Sequence, residues 1–358
     1  MVLQILVIGG GIAGLSTALA LRRAGHRVQV FEASHLAYED TVGPTVHIGP
    51  KSCDLMRNWE YDATVAQGVL IREIAEFNHD GTQTQRVNEH GSQPPGWMYF
   101  ERNRLHQAFL KSASMAAGSG QPVVISLEAP VKSVHPSAPS ITLDDGRVVH
   151  GDVIIGADGF HSTARRGIAD SEIISSGPRK VAVHFSVAMS KLTSTPVAQR
   201  FHEQAERYEK WFGVGMELSV YAVEAGRLLF DFTLAIQGGI DVTPRGVKQM
   251  ILNAFESGHL EFVQLLAAVD LGDIHFWTQP SYPQVDEWTY KYLALVGDAA
   301  HPFLPHELPG TSQALNDAAA LAAELSCGIS AGDIEARLAA WEGPRKERVR
   351  VIQQSERG

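Results

Sequence analysis

The length, composition and charge of the chain exclude several classes of protein. Its 358 residues include 44% hydrophobic and 20% charged side chains, which is ordinary globular usage and argues against wholesale disorder. Forty acidic against 30 basic side chains leave a formal charge of -10, the wrong sign for a nucleic-acid binder. Two cysteines are too few for a disulfide framework, and no apolar stretch reaches the ~20 residues of a membrane span. We therefore expect a cytoplasmic protein without a membrane span or a nucleic-acid partner.

The N-terminal segment has the pattern of a nucleotide-binding βαβ unit. Residues 3–8 form an apolar run that predicts a strand of a parallel sheet, an amphipathic helix follows, and residues 26–31 alternate like a second strand. Gly9, Gly11 and Gly14 match G-x-G-x-x-G between the first strand and the helix, where backbone N–H groups bind a pyrophosphate. Glu32 ends the second strand, about 20 residues further on, where an acid binds an adenosine ribose. The alternative is a glycine-rich turn in an unrelated α/β protein.

Later segments predict more of the first sheet and a second sheet. Residues 153–155 and 293–296 are buried-strand runs that lead into glycine, so we assign both to the first sheet. Residues 178–190 and 227–236 have strand-like composition and indicate a separate sheet. Residues 81–96, rich in Gly, Gln and Pro, are interpreted as a surface excursion.

Two further motifs make the pattern specific. They are Gly156-Ala157-Asp158-Gly159 and Gly297-Asp298-Ala299-Ala300-His301-Pro302. With the N-terminal glycine motif before them, the chain resembles the single-component FAD-dependent aromatic hydroxylases, of the para-hydroxybenzoate and salicylate hydroxylase type, over nearly its whole length. The resemblance implies an α/β fold: a Rossmann-like FAD-binding domain with a parallel sheet, and an inserted mixed β-sheet substrate domain.

The resemblance also implies domain boundaries. The FAD-binding domain is expected to be discontinuous, built from residues 1–70, 97–177 and 285–330. The substrate-binding sheet domain takes residues 71–96 and 178–284, and residues 331–358 form a C-terminal helix.

The same resemblance identifies candidate cofactor-binding residues. The glycine motif would hold the FAD pyrophosphate, Glu32 its adenosine ribose, and Asp298 a ribityl hydroxyl. The alternative for Asp158 is a cap for the residues that follow it. The candidates are Gly9, Gly11, Ile12, Ala13, Gly14, Glu32, Ala33, Arg102, Asp158, Asp298, Gly310 and Thr311.

The reaction that the resemblance implies is hydroxylation of an aromatic or enol-type small molecule. NAD(P)H would be a transient reductant, and O2 would react with the reduced flavin to give a C4a-hydroperoxyflavin that delivers the oxygen. The protein would contribute orientation and exclusion of water. Arg179 and Lys180 would attract an anionic substrate.

One loop departs from the family pattern. Leu308 replaces a small residue beside the expected flavin, and Pro309 removes a backbone N–H. The neighbouring His306 and Glu307 are candidates for general acid or base catalysis, or for a surface pair. The departure keeps two alternatives open: a redox-silent cyclisation or isomerisation on an FAD scaffold, and a non-catalytic flavin-binding scaffold.

The candidates for substrate contact come from the second sheet and the altered loop. Strand residues of this kind are more often plain core, and we predict no metal site because no ligand set has metal-site spacing. The candidates are His47, His184, Phe230, Phe232, Trp277 and Leu308.

Overall fold

The computed structural model describes most of the chain. It leaves out residues 36–44, 89–95, 169–179, 193–195, 205, 214, 224–225, 236–242, 256–265, 267–268, 280–284, 304–309, 327 and 356–358. The described strands are β1 (Gln4–Ile8), β2 (Arg27–Phe31), β3 (Thr45–Ile48), β4 (Val69–Leu70), β5 (Glu73–Asn78), β6 (Gln83–Asn88), β7 (Met98–Glu101), β8 (Val124–Ser126), β9 (Val131–His135), β10 (Ser140–Leu143), β11 (Val148–His150), β12 (Val153–Gly156), β13 (Lys180–Ala188), β14 (Arg207–Gly213), β15 (Met216–Val223), β16 (Arg227–Ala235), β17 (His275–Gln279), β18 (Thr289–Tyr290) and β19 (Leu293–Leu295).

The described α-helices surround these strands. They are α1 (Ile12–Arg23), α2 (Pro50–Asn58), α3 (Ala63–Ala66), α4 (Arg102–Ser114), α5 (Pro196–Glu203), α6 (Pro244–Phe255), α7 (Gly310–Glu324) and α8 (Ile334–Ser355). None of these helices is long and apolar enough to cross a membrane.

The first sheet has six strands in the order β18-β19-β12-β1-β2-β8. The strands from β19 to β8 are parallel, and β18 adds one antiparallel edge. The central strands β1 and β12 are buried almost throughout, which explains their continuous apolar sequence. The predicted placement of residues 153–155 and 293–296 in this sheet is confirmed.

Helix α1 presents the glycine motif at the carboxyl end of β1. It begins after Gly11 and ends at Arg22 and Arg23, whose charges suit the negative end of the helix dipole. Gly25 follows with a φ of +94°, the left-handed conformation that ends many helices. The helix packs against α4 and α7, so three separate parts of the chain meet beside the first sheet.

The second sheet has seven strands in the order β17-β13-β16-β15-β14-β5-β6. Neighbouring strands are antiparallel except for β14 and β5. The interpretation of residues 81–96 as a surface excursion is wrong for β6, which pairs with β5 as an edge strand. Its polar side chains are exposed where described, which explains why composition alone suggested a loop.

The two faces of the second sheet differ in chemistry. One face packs into a hydrophobic core with α6, and there the ring of Phe185 stacks on those of Phe230 and Phe232. The other face, here called the inner face, carries Tyr208, Ser219, Tyr221, Asp231 and His184. It lies against the small sheet formed by β3, β7 and β4, since the Tyr99 ring of β7 contacts the Tyr221 ring at 4.9 Å. The predicted fold class, a Rossmann-like domain with an inserted mixed sheet, is confirmed.

Candidate cofactor and substrate site

A cavity of about 790 Å³ opens where the first sheet, α1 and α7 meet β3. Its volume falls in the upper part of the range for small-molecule sites, roughly 300–1,000 Å³. All the predicted cofactor-binding residues except Gly14 line it. The lining therefore includes Gly9, Gly11, Ile12, Ala13, Glu32, Ala33, Arg102, Asp158, Asp298, Gly310 and Thr311.

The three motif glycines have different structural roles. Gly9 has a φ of +99°, and a Cβ atom there would lie 2.5 Å from the carbonyl oxygen of Ala157. A Cβ on Gly14 would lie 1.9 Å from the carbonyl oxygen of Gly9, so this glycine permits close packing of helix on loop. Gly11 has no atom within 4 Å of its Cβ direction and keeps the cavity side clear for a ligand. The arrangement leaves the first N–H groups of α1 accessible to an anion.

Glu32 supports the glycine loop as well as lining the cavity. One carboxylate oxygen accepts a hydrogen bond from the Gly10 backbone N–H at 2.6 Å, and the other accepts from the Ser34 N–H at 2.8 Å. His106 of α4 contacts the carbonyl oxygen of Gly10 from the other side, at 2.7 Å from Nε2. Each carboxylate oxygen still has acceptor capacity, so Glu32 can also bind a ribose hydroxyl.

We expect Glu32→Ala to weaken FAD binding and to loosen the glycine loop. The variant removes charge-assisted hydrogen bonds worth roughly 1.5–3 kcal/mol to whichever group donates them. Glu32→Gln keeps one acceptor oxygen and should fall between the wild type and Glu32→Ala. FAD titration by fluorescence quenching checks the order, and equal affinities in all three proteins would contradict the placement of Glu32.

Asp298 lies on a short turn at the other end of the cavity. Its side chain is exposed to the cavity, while Arg165 holds its carbonyl oxygen at 2.9 Å and that of Ala299 at 2.8 Å. The surrounding protein partly desolvates the carboxyl and raises its pKa, an effect opposed by the positive charges of Arg102, His301 and Arg165. Arg165 follows the Asp158 motif, so this contact joins the second motif to the third.

A buried network of ionic and hydrogen-bonded side chains supports the backbone of the Asp298 turn. Asp317 of α7 accepts hydrogen bonds from the Gly297 N–H at 3.0 Å and from Arg345 of α8 at 2.8 Å, and one of its oxygens lies 2.5 Å from Nε2 of His301. Burial raises the pKa of Asp317, but His301, Arg345 and the Gly297 N–H outweigh that effect and lower it, so the carboxylate stays ionised. Local sequence patterns do not reveal the network of Asp317 and Arg345, because it depends on contacts between two different helices.

Asp158 is a capping residue in this structure. Its carboxylate accepts hydrogen bonds from the hydroxyl of Ser162 at 2.5 Å and from the backbone N–H groups of Thr163 and Ala164 at 2.6 and 3.0 Å. Asp158 therefore caps the residues that follow it, which was the alternative to cofactor binding, and it also lines the cavity.

The predicted substrate residues are placed in three different ways. His47 lines the cavity, whereas His184 is buried on the inner face and bonded to Asp231. Phe230 and Phe232 lie in the hydrophobic core and do not line the cavity. They are therefore core residues, as strand residues of this kind more often are. His306, Glu307, Leu308 and Arg179 lie outside the described residues, as do the side chains of Lys180 and Trp277.

His47 is a neutral group in the roof of the cavity. Its ring lies 4.8 Å from that of Tyr208 and 5.4 Å from that of Tyr221. Burial lowers its pKa from 6.5 to about 4, with Lys210 adding to the effect and Asp231 opposing it. The cavity therefore has no imidazolium at this position at neutral pH.

This pKa predicts a loss of stability in acid. Because the pKa of His47 is lower in the folded state, the unfolded chain binds the proton more tightly, and stability falls as the pH drops from 6.5 towards 4. The upper limit of the effect is about 3 kcal/mol. Denaturant titrations at pH 7 and pH 5 should show a smaller loss for His47→Gln than for the wild type. An equal loss in both proteins would contradict this assignment.

In the described part of the chain, no three His, Cys, Asp or Glu side chains form a group that could hold a metal ion.

Comparison with known proteins agrees with the cavity chemistry. Residues 2–356 match the family described as FAD binding domain. The FAD-dependent monooxygenase cfoG of Aspergillus candidus is 27% identical, over 98% of this chain and 84% of that protein. Hispidin-3-hydroxylase of Neonothopanus nambi is 26% identical, over 98% of this chain and 86% of that protein. The crystal structure of CtdE in complex with FAD and a substrate matches with a TM-score of 0.80 and 22% identity, over 98% of this chain and 87% of that one.

The residues around the cavity fit a dinucleotide. The glycine motif and the N-terminus of α1 offer uncapped N–H groups, since Gly11 makes no side-chain cap. Carboxylates line the cavity at both Glu32 and Asp298, where each can accept a hydrogen bond from a hydroxyl. This combination of a central anion site and two hydroxyl-binding carboxylates matches a cofactor with a pyrophosphate between two sugar-like groups.

Proposed function

The chain belongs to the FAD binding domain family and is an FAD-dependent monooxygenase, and we propose that it uses NAD(P)H and O2 to hydroxylate an aromatic or enol-type small molecule. The observation that carries the proposal is the single cavity that brings the glycine motif, Glu32 and Asp298 together beside β3 and the inner face. We place the enzyme in the cytoplasm on the basis of its composition.

FAD, when bound, supplies the two-electron chemistry and the reaction with O2. The N–H groups of α1 and the carboxylates of Glu32 and Asp298 would hold the cofactor. Arg102 lines the same cavity, and its positive charge offsets the negative charge of the Asp298 carboxylate. The ring of His47, which lines the cavity, packs against the buried rings of Tyr208 and Tyr221 on the inner face.

A redox-silent reaction on the same scaffold is the second candidate function. Its motivation comes from the sequence, in which Leu308 replaces a small residue of the family pattern and is followed by Pro309. The two functions differ in one property, because only the monooxygenase requires the flavin to accept electrons from NAD(P)H.

Anaerobic reduction of the FAD-loaded protein separates the two functions. We expect NADH or NADPH to bleach the flavin absorbance, and a panel of phenols to accelerate the bleaching. Asp298→Ala should retain less FAD, or reduce it more slowly, because the cofactor loses one of its two carboxylate contacts. A flavin that stays oxidised with both nicotinamides and every phenol would overturn the proposal in favour of redox-silent chemistry.

A further inference from the structure

The inner face carries a directional chain of hydrogen bonds that ends at the cavity. Tyr221 donates its hydroxyl hydrogen to Oδ2 of Asp231, and the Tyr221 oxygen contacts the hydroxyl of Thr45. The other carboxylate oxygen, Oδ1, lies 2.5 Å from Nδ1 of His184. Thr45 lines the cavity, whereas Tyr221 and His184 are buried.

The direction of this chain follows from the chemistry of its members. An ionised carboxylate can only accept hydrogen bonds, so the single hydrogen of Tyr221 is committed to Asp231. Thr45 must then be the donor to the Tyr221 oxygen. The Thr45 oxygen is left with acceptor capacity for a group in the cavity, because its own hydrogen is already used.

Protonation states support this direction. Burial raises the pKa of Asp231, but His184 and the hydrogen bond from Tyr221 outweigh it and lower the pKa, so the carboxylate is ionised at neutral pH. Burial, reinforced by the charge of Asp231, raises the pKa of Tyr221 well above its usual value, so the phenol stays neutral.

The hydrogen-bond pattern disfavours an anionic ligand at Thr45. Asp231 is paired with His184, and His47 nearby is neutral. Lys210 lies 3.6 Å from its partner Glu217. A carboxylate has no hydrogen to donate to the Thr45 oxygen, whereas a neutral hydroxyl or N–H group would donate one.

We propose that Thr45, Tyr221, Asp231 and His184 form a recognition site for a neutral hydrogen-bond donor, and that the substrate enters as an uncharged phenol, enol or N–H heterocycle rather than as a carboxylate. This inference deepens the proposed function, since it concerns the substrate of the same cavity. Thr45 is the contact residue, and Tyr221, Asp231 and His184 are positioning residues that act through it.

The test compares three ligands of the same shape on the oxidised, FAD-loaded protein. The probes are 2-naphthol, 2-methoxynaphthalene and 2-naphthoate, and the readout is the dissociation constant from perturbation of the flavin spectrum. We expect 2-naphthol to bind about tenfold more tightly than the methyl ether, the equivalent of one net hydrogen bond, and 2-naphthoate to bind more weakly still. Neither NAD(P)H nor O2 is needed, so failure of the proposed redox function would leave this ligand order unchanged.

Matched variants test whether these hydrogen bonds cause the preference for 2-naphthol over its methyl ether. Thr45→Val and Tyr221→Phe should each reduce the preference for naphthol over its ether to about one, while Thr45→Ser retains it. Tyr208→Phe is the control, because Tyr208 is an equally buried tyrosine whose hydroxyl donates to Ser219 at 2.6 Å and takes no part in the chain. FAD content and thermal unfolding identify any variant that fails to fold. In that case the ligand preference of Thr45→Ser is compared with that of the wild type.

Four results would overturn the proposal. The first three are binding of 2-naphthoate as tight as that of 2-naphthol, a preference for naphthol that survives in Thr45→Val, and absence of 2-naphthol binding at millimolar concentration. A loss of preference in Tyr208→Phe equal to that in Tyr221→Phe would assign the effect to the packed rings of His47, Tyr208 and Tyr221 and would also overturn it.

Discussion

Gly14→Ala should destabilise the protein by about 3 kcal/mol or more, even in the absence of FAD. The added Cβ would lie 1.9 Å from the carbonyl oxygen of Gly9. That oxygen belongs to the backbone of the loop between β1 and α1, which cannot move aside as a flexible side chain would. We expect a large fall in the midpoint of denaturant unfolding and no retained FAD after purification.

Gly11→Ala is the matched control within the same motif. Nothing lies within 4 Å of the position that its Cβ would take, so the apo protein should lose no more than about 1 kcal/mol of stability. Its methyl group would nevertheless enter the space in front of α1, and FAD affinity should fall. Equal stabilities of the two apo variants would contradict the separate packing role assigned to Gly14.

Asp317→Asn should be strongly destabilising, although Asp317 does not line the cavity. It leaves Arg345 and His301 buried without their carboxylate, and breaking a buried ionic pair from one side costs about 3–5 kcal/mol. Because Asp317 also accepts the Gly297 N–H, the turn that presents Asp298 should shift, and the bound flavin should show an altered visible spectrum.

Glu335→Gln provides the comparison for Asp317→Asn. Glu335 belongs to α8, the helix of Arg345, and pairs with Lys291 at 3.1 Å, but both side chains are about half exposed. Solvent screening makes such pairs weak, so stability and the flavin spectrum should stay close to those of the wild type. A spectrum unchanged in Asp317→Asn, despite a clear loss of stability, would show that the network supports the fold without positioning the Asp298 turn.

The cofactor side of the molecule was predictable because its signals are local. The glycine motif, Glu32 and Asp298 each follow a strand of the parallel sheet, and the carboxyl ends of parallel strands meet at one edge. Sequence order and strand pattern therefore suffice to bring these residues to one cavity.

The substrate side depends on contacts that local patterns do not encode. Alternation along β16 showed that its residues have two faces, but not which face looks towards the cavity. Phe230 and Phe232 point into the core, while Asp231 between them is on the inner face. Thr45 and Tyr221 meet across 176 positions of sequence, and no short motif predicts such a pair.

A single turnover of the reduced, FAD-loaded enzyme with ¹⁸O2, and with a phenol that accelerates flavin reduction, shows whether the enzyme is a monooxygenase. Mass spectrometry of the product reports the origin of the new oxygen. We expect a product that contains one atom of ¹⁸O, with the second atom released as water. A product without label, or reoxidation that yields labelled hydrogen peroxide with no hydroxylated product, would contradict it.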